Sequence, residues 1–148
     1  MNDTHKSNLA KTAIYLLEEV EDAKFNMEDY AKNRQNDCIF SPKHIIKKYN
    51  ECGTCCCFAG HAPMALGEET DHSSWEEYLD EVFKAKDQSQ NWFFLFSARW
   101  SNSRHQSAAR AVVLLESGVP EIYMTKDKFL SDLTDAELIE RLKPFVIA

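Results

Sequence analysis

The sequence predicts an all-α fold, a single compact domain over residues 1–148 built of six or seven short helices. Three observations predict it. Apolar residues recur every three or four positions along most of the chain. Ser or Thr followed three residues later by Glu or Gln stands ahead of several of these runs, as a helix start requires. The 148 residues, 44% hydrophobic and 28% charged, are enough for one buried core and exclude gross disorder. No internal repeat or low-complexity linker divides them.

Each element has its own punctuation. Leu9, Ala13, Leu16, Leu17 and Val20 share one helical face, with Lys11, Glu18, Glu19 and Glu21 mostly opposite, which predicts an amphipathic helix over residues 7–23. In "FNMEDYAKN", Asn26 and Asp29 have the spacing to start a short helix. In "FSPKHIIKKYN", Ser41 caps and Pro42 takes the first helical position, where its missing N–H costs nothing. "HSSWEEYLDEVFKAK" has a capping box at Ser73 and Glu76 or at Ser74 and Glu77, and an inward stripe of Trp75, Leu79, Val82 and Phe83. "SQNWFFLFSARW" predicts a buried helix of about two turns. Ser103 and Gln106 start a central helix over residues 103–116, apolar nearly all round, closed by Gly118 and Pro120. Arg110 within it needs a carboxylate or carbonyl partner, because an unpaired buried charge is strongly destabilising. Thr134 with Glu137 starts the last helix, Leu133 and Leu138 staple it, and Pro144 ends it. "VPEIYMT", residues 119–125, is the one strand-like piece, and no partner for it is evident.

Charge and targeting bound the function. A formal charge of -7 opposes approach to nucleic acid, and no basic stripe with interleaved aromatics offsets it. The acids are mixed with bases, unlike the dense acidic surface of a DNA mimic. No apolar run approaches the roughly 20 residues that span a bilayer. The start of the chain lacks the basic, apolar and small-residue order of a secretory leader. Five cysteines, three of them adjacent, favour a reduced, cytoplasmic setting. The expectation is therefore no nucleic-acid partner, no membrane and no cofactor.

"ECGTCCCFAGHAPMALG" concentrates the chemistry, and three readings stand open. As a metal site, Cys52, Cys55 or Cys57, His61 and His105 would converge at tetrahedral geometry, although no second ligand pair follows downstream. As a nucleophile, Thr54 would cap a helix whose first turn holds Cys55, Cys56 and Cys57. The positive helix end would then lower a thiol pKa beside His61, four residues on from Cys57. As packing, which is the favoured reading, Gly53, Cys57, Gly60 and Met64 form a small-residue face against another helix, with a kink at Pro63. An anion held at the Thr54 helix start is a further possibility. A second constellation, "SARWSNSRHQSAAR", groups Arg99, Arg104 and Arg110 with Trp100 and His105. Guanidinium groups, a helix start and an aromatic plate suit a phosphate or carboxylate. The sharpest expectation joins the two stretches into one positive concavity, walled by Trp100 and lined by Arg104 and His105.

"CGTCCCFAGHAPMALG", "SWEEYLDEVF", "NWFFLFSARWS" and "SAARAVVLLESGVPE", taken in order over residues 25–121, resemble a family of small uncharacterised bacteriophage and bacterial proteins. Its pattern runs C-G-T-x-x-C-x-x-G-[HW]-A, then W-x-x-Y, then W-x-[FW]-L-F-x-x-x-W, then an alanine-rich helix ending near G-V-P. Cys52, Gly53, Thr54, Cys57, Gly60 and His61 fall on motif positions. The pattern's tolerance of Trp at His61 weighs against a metal or base role there. The resemblance implies a helical fold and a viral or mobile-element origin, and it supplies no reaction. The expectation is a non-enzymatic, virus-encoded protein of the host cytoplasm that binds a host protein or a small anionic host molecule. Its candidate contact residues are Thr54, Cys57, His61, Arg99, Trp100, Arg104 and His105. The alternative is a thiol–histidine enzyme or small metalloprotein using Cys57 and His61.

Overall fold

Helix α1, Asp3–Glu19, begins earlier than the periodicity alone indicates. Asn2 caps it: its side chain accepts from the His5 N–H at 2.9 Å, and the His5 ring nitrogen Nδ1 accepts from the Asn2 N–H at 3.1 Å. Leu9, Ala13 and Leu16 are fully buried and Val20 nearly so, as the apolar stripe predicts. The computed structural model describes residues 1–27, 30–33, 38–48, 54–67, 71–97, 100, 103–120 and 132–147, with 31–33, 38–39, 47–48 and 54–55 described by backbone alone. Among them are six further helices: α2 (Pro42–Lys48), α3 (Phe58–Leu66), α4 (Trp75–Phe83), α5 (Gln90–Phe96), α6 (Arg104–Ser117) and α7 (Asp135–Leu142). The helical class holds, and the seven α-helices among the described residues fall within the predicted six or seven. The "VPEIYMT" strand prediction lies almost wholly outside the described residues.

A small antiparallel sheet is added to the predicted helices. Its strands are β1 (Ala31–Asn33), β2 (Cys38–Ile39) and β3 (Thr54–Cys56), in the order β2-β1-β3. Ala31 stands opposite Cys56 and Asn33 opposite Thr54. Two expectations are corrected here. "FNMEDYAKN" runs into a strand rather than a short helix, and Asn26 donates its backbone N–H to the Cys56 carbonyl at 2.9 Å. Thr54 lies in β3 and starts no helix. It pairs across the sheet with Asn33, so the run from Thr54 to Cys56 is extended.

α1 packs against α3, α4, α6 and α7 and forms the centre of the helical layer. Phe58 of α3, Phe83 of α4 and Phe96 of α5 meet as a triangle of rings with centroids 5.7–6.4 Å apart, a spacing that suits tilted and edge contacts. Polar sutures tie distant segments to this core. The Asn8 carboxamide donates to the Val82 carbonyl at 2.9 Å, the Trp75 indole donates to the Phe40 carbonyl at 2.9 Å, and the Ile147 N–H donates to the Ser7 hydroxyl at 2.9 Å. Among the described residues, no helix is long and apolar enough to cross a membrane.

Candidate functional site

α3 begins at Phe58, with Cys57 as its extended N-cap residue, whose side chain makes no capping bond. The helix also runs through Pro63 to Leu66, where Gly67 closes it in the left-handed region (φ 66°). The helix therefore continues past Pro63, the position where a kink is expected. Its missing N–H falls within the second turn, and packing on α1 and α2 holds the helix together. The α3 start is buried, with Cys57 at 1% exposure and Phe58 and Ala59 at 0%. The Tyr30 carbonyl lies against Gly60: a β-carbon there would stand 1.5 Å from its oxygen. A small residue is required at this position, as the packing reading holds, but the close approach comes from the backbone just ahead of β1 and not from a helix.

His61 is fully buried on the next turn. Its Nε2 is 3.0 Å from the Lys24 carbonyl, which accepts from it. The ring stacks on Phe25 at 6.2 Å and lies 6.4 Å from Tyr15. Burial pushes its pKa down to about 4, although hydrogen bonding to the Lys24 and Cys56 backbone pulls the other way. The imidazole is therefore neutral at pH 7, with one N–H committed to the chain.

The arginine-rich stretch is close by, but the groups described in it face the protein. Arg104 donates from Nε to Asp22 at 2.7 Å and from Nη1 to the Leu16 carbonyl at 2.9 Å. It therefore closes the C-terminal end of α1, where carbonyls lack helical partners and a cation is favourable. His105 pairs through Nδ1 with Asp135 of α7 at 2.7 Å. Trp100 is 5% exposed. Its indole donates to the Phe93 carbonyl at 2.8 Å, and its face carries the Arg110 guanidinium at 5.2 Å. Arg110, 1% exposed, also donates to the Ser107 hydroxyl at 2.8 Å and lies 4.0 Å from the Met27 sulfur. Burial lowers its pKa to about 9, so it stays charged at neutral pH. Arg99 and the Thr54 side chain lie outside the described residues.

The 22–25 segment thus brings His61 and Arg104 to one neighbourhood. Both hold that segment in place, and Trp100 turns to Arg110, so the predicted concavity is not built from these groups. Cys52 and the Cys55 side chain are outside the described residues; among the rest, no three His, Cys, Asp or Glu side chains converge as metal ligands would.

An open cavity of about 620 Å³ lies elsewhere, where α4 ends and α5 begins. Asp80, Lys84, Lys86, Ser89, Gln90, Asn91 and Pro120 line it. Sequence reading missed it because "KAKDQSQ" looks like an ordinary polar connector. The one available signal is a pair of lysines two residues apart with carboxamides just beyond. No family model, curated protein or solved structure matches the chain.

Proposed function

We propose that the protein acts by binding a host protein or a small host molecule, without a catalytic step of its own. The observation that supports this reading is the closure of the Cys57–His61 pair. Both residues are buried, and the imidazole is neutral and hydrogen-bonded to a backbone carbonyl. A thiol nucleophile needs thiolate character and access to its substrate, and a general base needs a free nitrogen facing one. The motif resemblance to small phage and bacterial proteins supports a setting in the cytoplasm of an infected cell.

The test is thiol labelling of the native protein, compared with Cys57→Ala, together with metal analysis after dialysis. The expected result is that Cys57→Ala leaves the native-state labelling rate unchanged and that no stoichiometric zinc is retained. Loss of a fast-reacting thiol in Cys57→Ala, or about one zinc per chain surviving dialysis, would establish the thiol–histidine or metalloprotein alternative.

A further inference from the structure

From the cavity between α4 and α5 we infer a binding site for a small anion carrying a phosphate or carboxylate group, held by Lys84 and Lys86. The inference rests on the binding reading above and gives it a place and a ligand class. The volume, about 620 Å³, falls within the roughly 300–1,000 Å³ of small-molecule sites.

The charge argument is comparative. Arg104, Arg141 and Lys143 each engage a carboxylate within the chain. Lys84 and Lys86 are exposed and form no ion pair among the described residues. On a chain of net charge -7, two uncommitted ammonium groups stand on one concave wall, and Asp80 is the one carboxylate among the residues that line it. The Gln90 and Asn91 carboxamides supply donors alongside.

The backbone sets both lysines in this wall. Lys84 closes α4 in the left-handed region (φ 57°), donating its N–H to the Asp80 carbonyl at 3.0 Å. Gln88 is also left-handed (φ 63°), in the tight turn that the Ser89 N–H closes onto the Lys86 carbonyl at 2.9 Å. Two turns therefore fall within a few residues, and residues from both line the cavity, with Pro120 beyond α6 alongside.

The experiment is a titration of isotope-labelled protein followed through its amide resonances. The probes are ribose 5-phosphate and gluconate, with uncharged ribose as control. The expected result is saturable shifts confined to residues 80–91 with one or both anions and none with ribose. Whichever anion saturates identifies the head group. The paired change Lys84→Asn and Lys86→Gln keeps a residue tolerant of the left-handed region at 84 and should weaken binding at least tenfold. Asp80→Asn should strengthen it several-fold. Absence of saturable shifts with both anions would overturn the site, as would binding that survives the paired lysine change. Such a failure leaves the binding reading standing if Cys57→Ala labels like the parent, so the two outcomes are separable.

Discussion

At the scale of single residues, Gly60 and Arg104 show how an isolated side chain, or its absence, sets the local geometry. Gly60 is helical, and a helix interior ordinarily favours alanine over glycine by about 1 kcal/mol. Here that preference is reversed, because the Tyr30 carbonyl occupies the space a methyl group would need, and Cys56 Cβ lies 2.7 Å from the same point. A backbone carbonyl cannot swing aside as a long side chain does. Gly60→Ala should therefore push α3 away from the sheet and cost about 3 kcal/mol or more. Chemical denaturation measures this, and a variant as stable as the parent would mean the approach is not tight. Arg104 is the opposite case, a residue whose chemistry invites a ligand but whose geometry is satisfied within the fold. Its charge was readable from the sequence. Its use was not, because Asp22 and the Leu16 carbonyl lie more than eighty residues away in the chain. His105 and Asp135 repeat the lesson across α6 and α7.

At the scale of elements, local capping chemistry explains which parts of the fold could be read. Ser74, Ser103 and Thr134 all cap helices where the sequence puts them, because each start is decided within four residues. β1, β2 and β3 are two or three residues long, too short for an alternating pattern, and their pairing is decided by distant partners. Thr54 is equally suited to cap a helix or to lie in a strand, so the local sequence does not decide which element holds the cysteine run. α7 offers a test of capping as a stabilising force. Thr134 accepts from the Glu137 N–H, and the Glu137 carboxylate accepts from the Thr134 N–H, each at 3.1 Å. Thr134→Ala removes half of this box and should cost about 1 kcal/mol. Because α7 also reaches α6 through Arg141–Glu116 and His105–Asp135, the loss should appear as faster amide exchange across α7 before the core opens. Uniform acceleration over α1 and α6 instead would show that α7 does not open on its own.

For the whole molecule, the buried histidine links the α3 packing to acid stability. His61 joins α3 to the Lys24 turn and to α1 through Tyr15, so its burial among those elements opposes charging it. In the unfolded chain its pKa returns to about 6.5, while in the folded protein burial holds it at about 4. The folded pKa is therefore the lower one. Stability is full above the unfolded value and falls as the pH drops, because the unfolded state takes up a proton that the folded state refuses. At about 1.4 kcal/mol per pH unit, the loss accumulates to roughly 3 kcal/mol by pH 4. The surface pairs Asp22–Arg104 and Glu116–Arg141 contribute little each. His61→Gln isolates the effect, since glutamine keeps an N–H for the Lys24 carbonyl and does not titrate. The variant should be less stable than the parent at pH 7 through poorer packing, and the gap should narrow steadily as the pH falls from 6.5 towards 4. Urea unfolding of both proteins across that range gives the comparison, with the remaining histidines common to the two. Parallel curves would mean that another group, and not His61, governs the acid limit.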